Sequence, residues 1–113
     1  MKIAVIGIGH MGIWLVKEMS RKHELCVYDL DPSRLQKLPG VVKLRNYKEI
    51  ADFEPDMLIN AVDIKSTLDA FRSVLPYTPK KCILVDMASV KDKLPEFYAT
   101  LEFRFVSVHT MFG

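Results

Sequence analysis

Gly7, Gly9 and Gly12 follow directly on the apolar run that opens the chain, and their spacing limits what that run can fold into. Lys2 to Gly7 (KIAVIG) is continuously apolar and ends in glycine, the pattern of a strand covered on both faces. Met11 to Lys22 then has helical character: Met11, Leu15 and Met19 recur at helical spacing, while Lys17, Glu18 and Arg21 can face water. Between a strand and a helix, each glycine of a Gly-x-Gly-x-x-Gly turn has a physical reading. Gly7 permits the tight turn, Gly9 lets backbone approach a pyrophosphate with no Cβ in the way, and Gly12 allows close helix–strand packing. The helix N-terminus adds free N–H donors and a partial positive charge. The segment Gly7-Ile8-Gly9-His10-Met11-Gly12 is therefore expected to cradle the phosphates of a dinucleotide, with no chemical role for the His10 side chain.

β-type and helical stretches alternate along the rest of the chain. Glu24 to Asp29 reads as the second strand, and Asp31-Pro32-Ser33 opens a short helix with Pro32 where a missing N–H costs nothing. Val41 to Leu44 is the third strand, followed by a short helix near Tyr47 to Ala51; Asp56 to Val62 (DMLINAV) is the fourth strand. Ser66 to Leu75 reads as a helix ended by Pro76, Cys82 to Met87 as the fifth strand, Lys91 to Leu101 as a helix and Arg104 to His109 as the sixth strand. Six strands with helical crossovers predict an α/β fold, a Rossmann-type doubly wound parallel sheet formed by residues 1–113 as one domain. In such a sheet ligands bind outside the carboxyl ends of the strands. The residues to inspect are then the glycine turn, Asp29, Val62 and Asp63, Ala88 and Ser89, and His109 to Gly113.

Asp29 closes the second strand, where an acid hydrogen-bonds the adenosine ribose hydroxyls. A carboxylate there repels a 2′-phosphate and favours NAD over NADP, although Arg34 nearby is a residue that accommodates such a phosphate. Asp31, just before Pro32, reads instead as a helix-capping acid. Trp14 is expected to pack on the sheet rather than to face a partner.

Composition excludes several other classes. Sixteen basic against fourteen acidic residues give a net charge of +2, too small a surplus for a nucleic-acid partner. The longest apolar runs are far too short to span a bilayer, and Met1-Lys2 leads straight into a strand with no secretory signal, so a cytoplasmic protein is expected. Cys26 and Cys82 are too few for a disulfide framework and too isolated for a zinc site; each reads as a small buried hydrophobe, and no metal is expected.

Two further segments narrow the chemistry. Asp86-Met87-Ala88-Ser89-Val90-Lys91 follows the fifth strand and His109-Thr110-Met111-Phe112-Gly113 the sixth, both at the sheet edge of the glycine turn. Together they resemble the prephenate and arogenate dehydrogenases of tyrosine biosynthesis. That family carries an acid-x-x-Ser-Val-Lys segment and, about twenty residues later, a His-Pro-Met-x-Gly segment; Ser89 and His109 stand at the matching positions. The resemblance implies an NAD-dependent oxidative decarboxylation of prephenate or arogenate, with His109 acting on the ring hydroxyl and Ser89 positioning it. Lys91 is read as a surface residue at a helix start. Thr110 replaces the family's proline after the histidine, and Asp63 stands where the family commonly has proline.

In that family a helical second domain completes the substrate pocket, supplies basic residues for the substrate carboxylates and makes the homodimer. The 113 residues hold no counterpart, and Lys80 and Lys81 precede the fifth strand at the wrong end of the sheet. The chain is accordingly expected to be a fragment that binds nucleotide and turns over little substrate. Two other readings share the glycine turn and Asp29. One is a stand-alone NAD(H)-binding regulatory module, and the other an oxidoreductase of the β-hydroxyacid or 6-phosphogluconate dehydrogenase kind, which does not call for a histidine after strand six.

Overall fold

Side chains alternate across a strand, and in the first strand that alternation divides the whole core in two. In the computed structural model, which describes residues 1–36, 38–87 and 94–108, β1 (Lys2–Ile6) gives Ile3 and Val5 to one apolar cluster and Ala4 and Ile6 to another. The neighbouring strands β2 (Glu24–Tyr28), β4 (Met57–Asn60) and β5 (Ile83–Asp86) repeat the division. Val27, Ile59 and Val85 join the first cluster and Cys26, Leu58 and Leu84 the second. Strands apolar on both faces need cover on both faces, and the helical crossovers provide it.

The six strands form one all-parallel sheet in the order β3-β2-β1-β4-β5-β6, with β3 at Val42–Lys43 and β6 at Arg104–Ser107. That is the doubly wound order of dinucleotide folds, and its switch point lies beside β1, between the two halves. α1 (His10–Met19) covers one face; α2 (Glu49–Phe53), α3 (Thr67–Val74) and α4 (Leu94–Ala99) cover the other. No helix among the described residues is long and apolar enough to cross a membrane.

Several local expectations change. The helical stripe of Met11, Leu15 and Met19 is only half-buried; the buried row is Gly12 and Val16, because a glycine at position 12 lets that row close on β1. Trp14 lies on the outer side of α1, 52% exposed, and does not pack under the sheet as expected. α1 stops at Met19, where the Ser20 N–H still reaches the Val16 carbonyl. α3 stops at Val74 and tightens into a 3₁₀ turn through Pro76, which cannot extend an α-helix. The second short helix begins at Glu49, because the Glu49 carboxylate accepts the N–H groups of Arg45 and Asn46 and holds the preceding residues as a loop. β6 ends at Ser107; Ser89, Lys91, His109 and Thr110 lie outside the described residues.

Cys26 and Cys82 are fully buried, free thiols, and burial pushes both up to about 12. A thiol that neither reaches solvent nor ionises is inert. Iodoacetamide at pH 8 is expected to leave both unmodified in the folded chain and to label both in guanidinium, as read by mass spectrometry.

A polar anchor of the core is Asp86, fully buried at the end of β5. Its Oδ2 accepts hydrogen bonds from the Tyr98 hydroxyl (2.7 Å) and the Ser107 hydroxyl (2.6 Å), joining β5, α4 and β6. Burial first, and the Asp86 side chain second, raise the Tyr98 phenol above its ordinary range. Tyr98→Phe removes one donor from a buried acceptor and is expected to cost about 1–3 kcal/mol of stability. Urea unfolding would read this as a lower midpoint at unchanged slope.

Candidate functional site: a cleft at the carboxyl edge of the sheet

The glycine turn sits over the end of β1. Gly7 has φ +91°, a left-handed conformation, and a Cβ there would come within 2.7 Å of the Val62 backbone nitrogen. A Cβ on Gly12 would collide with the Gly7 carbonyl oxygen. Gly9 is different: around it a Cβ would meet nothing within 4 Å. Gly7 and Gly12 are thus required by the protein's own packing, while Gly9 faces empty space. α1 starts at His10 with no side chain capping it. The N–H groups of its first turn have no partner within the helix.

That space is a cavity of about 840 Å³, within the usual range for small-molecule sites. Gly7, Ile8, Gly9, His10 and Met11 form its floor, Asp29, Leu30, Asp31 and Arg34 one end, and Val62, Asp63, Ser66 and Asp69 another wall. Every residue expected from sequence to hold the cofactor lines it, except Gly12, which is buried behind the turn.

Asp29 has its side chain 9% exposed. Its Oδ2 accepts the Ile8 N–H at 2.7 Å and its Oδ1 the Asp31 N–H at 2.8 Å. The Arg34 guanidinium lies 3.8 Å from Oδ2 and 3.9 Å from the Asp31 carboxylate. Asp31 caps the 3₁₀ turn Pro32–Leu35 as the sequence suggests: the Ser33 hydroxyl and N–H bond its Oδ1 and hold its carboxyl below the usual range. Asp63 is likewise a cap, its Oδ1 accepting the Ser66 N–H on the exposed rim.

Sequence reasoning missed one feature of the cleft and one of the core behind it. Tyr28 and Tyr47 form a ring pair with centroids 4.4 Å apart, beside Asp29 on the cleft wall. Burial, then Tyr28 and Asp29, raise the Tyr47 hydroxyl above its ordinary range. Asn60, buried at the end of β4, donates from Nδ2 to the Thr67 carbonyl (2.9 Å) and so fixes the start of α3. Its signal was a lone amide inside the apolar run DMLINAV. At the opposite edge of the sheet Lys81 lies 3.7 Å from Asp56, far from the cleft as expected. Among the described residues no cluster of three side chains could hold a metal ion.

The residues present fit a dinucleotide: an open cradle at Gly9, an uncapped helix start and an acid at the end of β2. The family model described as the NAD binding domain of 6-phosphogluconate dehydrogenase matches residues 2–102. The chain belongs to that family. A search among curated proteins finds no match to this sequence. Among solved structures, this NAD-binding domain is similar to prephenate dehydrogenase from A. aeolicus in complex with hydroxyphenyl propionate and NAD+, with TM-score 0.86 and 23% identity over 97% of this chain and 41% of that one. Synechocystis arogenate dehydrogenase gives 0.83 and 23% over 96% of this chain and 40% of that one. Mycobacterium tuberculosis 3-hydroxyisobutyrate dehydrogenase gives 0.85 and 16% over 99% and 41%. At these identities the likeness is one of fold, and the NAD-binding domain spans about two-fifths of the length of these enzymes.

The three glycines separate binding from folding. Gly9→Ala is expected to leave stability unchanged or raised by up to about 1 kcal/mol, since its backbone (φ −87°) suits alanine. The same change is expected to weaken NAD binding at least ~10-fold, by about 1.4 kcal/mol, because the methyl group enters the phosphate cradle. Gly12→Ala is expected to lower stability by about 1–3 kcal/mol as well. Thermal unfolding and calorimetric titration with NAD read the two effects apart.

Proposed function

We propose that this NAD-binding domain serves a dehydrogenase of the prephenate or arogenate type, with NAD rather than NADP as cofactor. The observation that carries the reading is the pairing of the last two strands. Asp86 and Ser107 are partners in the β5–β6 ladder, so the two strands that precede the acid-x-x-Ser-Val-Lys and histidine segments end side by side, at the edge that carries the glycine turn. Nicotinamide lies beyond the pyrophosphate in such folds, toward that side of the switch point.

In this reading the glycine turn holds the pyrophosphate and Asp29 accepts the adenosine ribose hydroxyls. Each of its oxygens has a further lone pair beyond the backbone N–H it already accepts. Val62 and Asp63 border the cofactor on the β4 side. NAD, when bound, supplies the hydride acceptor. His109 takes the proton of the substrate's ring hydroxyl as the carbon bearing it gives up hydride, and Ser89 holds hydroxyl and imidazole in line. Loss of carbon dioxide makes the ring aromatic, and the phenol oxygen recovers the proton. Histidine suits this step because its ordinary pKa lies near neutrality.

In this reading the enzyme is a cytoplasmic homodimer, in which this domain binds the nucleotide. The family match to 6-phosphogluconate dehydrogenase favours a second reading, an oxidoreductase acting on a hydroxyacid. The two readings part at His109. In the full-length protein, His109→Asn is expected to preserve NAD affinity while prephenate- or arogenate-dependent NADH formation falls about 10²–10⁴-fold. Undiminished turnover of either substrate, or turnover of a hydroxyacid alone, would contradict the proposal.

A further inference from the structure

We infer that Asp29 is a positioning residue for the phosphate turn, acting through the Ile8 N–H, in addition to being the ribose acid; this rests on the nucleotide reading above. The backbone shows why a side chain is needed here. β1 pairs in parallel with β2 along its whole length, and the bond that closes that pairing runs from the Gly7 N–H to the Tyr28 carbonyl at 2.9 Å. Gly7 then turns into the left-handed region (φ +91°) and the chain leaves the sheet. The next N–H, that of Ile8, points back toward β2 where the ladder has ended. The Asp29 carboxylate reaches it at 2.7 Å across 21 residues of sequence and extends the strand pairing by one bond.

That bond is charge-assisted and nearly buried, hence among the stronger hydrogen bonds of the chain. It fixes the peptide between Gly7 and Gly9, directly ahead of the uncapped N–H groups that open α1. The other carboxylate oxygen is held by the Asp31 N–H at 2.8 Å, so Asp29 cannot swing out to a ribose and release the turn at no cost. Arg34, 3.8 Å away, offsets the negative charge that would otherwise face an incoming pyrophosphate. The two ends of the nucleotide site are thereby coupled: what loosens the ribose acid also loosens the phosphate cradle.

The test uses the whole 113-residue chain with two probes, ADP and 2′,3′-dideoxy-ADP, the second lacking both hydroxyls that a ribose acid accepts. Asp29→Ala is expected to weaken dideoxy-ADP binding at least ~5-fold by calorimetry. Asp29→Asn, which keeps one acceptor oxygen, is expected to fall between it and the unaltered chain. Dideoxy-ADP binding that is unchanged or tighter in Asp29→Ala overturns the inference and leaves a ribose ligand only. A second readout needs no nucleotide. In the ¹⁵N-labelled free chain the Ile8 amide is expected to exchange slowly, and at least ~10-fold faster in Asp29→Ala, with Asp29→Asn intermediate. If Asp29→Ala does not fold, Asp29→Asn carries both measurements. Equal Ile8 exchange in the unaltered chain and the folded variants overturns the inference. Failure of the unaltered chain to bind ADP would instead sink the nucleotide reading, and the Ile8 exchange would still decide whether Asp29 holds the turn.

Discussion

The contact on which the rest of the structure depends is the approach of α1 to the end of β1, so close that a Cβ on Gly12 would strike the Gly7 carbonyl oxygen. It sets where the helix starts, and therefore where its free N–H groups and partial positive charge are spent. It brings the Gly12–Val16 row, rather than the Met11 row, against the sheet. It also demands the left-handed turn at Gly7, which seats the chain against Val62 on the neighbouring β4. Because β1 lies between β2 and β4, the turn falls at the point where the sheet divides into its two halves. One short steric contact thus places an anion-binding helix end at the mouth of the cleft.

A second pattern is shared by three strands. β2, β4 and β5 each carry, at their last residue or the one after it, an acid or amide whose side chain secures the loop that follows or faces it. Asp29 holds the glycine turn through Ile8, Asn60 holds the first turn of α3 through Thr67, and Asp86 holds β6 and α4 through Ser107 and Tyr98. These groups sit at the carboxyl edge, where parallel strands end and their loops lose the ladder's hydrogen bonds. Satisfying buried polar groups there makes the rim of the cleft stiff, the condition for holding a ligand without paying to order the site. The opposite edge is finished with exposed charges such as Lys81 and Asp56, whose carboxyl the Lys2 N–H keeps below its usual range.

Much of this was legible in the sequence because it depends on local pattern. The apolar runs with glycine and aspartate after them gave six strands along the chain, and the glycine spacing gave the turn, with the tight turn at Gly7 and the close packing at Gly12 as read. Strand ends were overrun by a residue or two, since apolar side chains such as Ala61 and Val62 continue past the last paired residue, Asn60. What stayed illegible depends on pairing across distance. Nothing in the neighbourhood of Asp29 says that its carboxylate meets an N–H 21 residues earlier, or that Tyr28 and Tyr47 share a wall. Trp14 read as core because it is large and apolar, yet helix phase relative to Gly12 turns it outward. Ser89 and His109, legible only through resemblance, lie outside the described residues, so their chemistry rests on the order of the strands that lead to them.

The central claim, that the glycine turn and the acid after β2 together bind NAD, is tested most directly by titrating NAD into the ¹⁵N-labelled chain and following each amide. The account predicts saturable shifts confined to Ile8 through Gly12, Asp29 to Asp31 and Val62 to Asp63, with Met1, Glu54 and Asp56 at the far edge unmoved. An absence of saturable shifts in those segments at millimolar NAD, or saturation centred on the far edge, would contradict it.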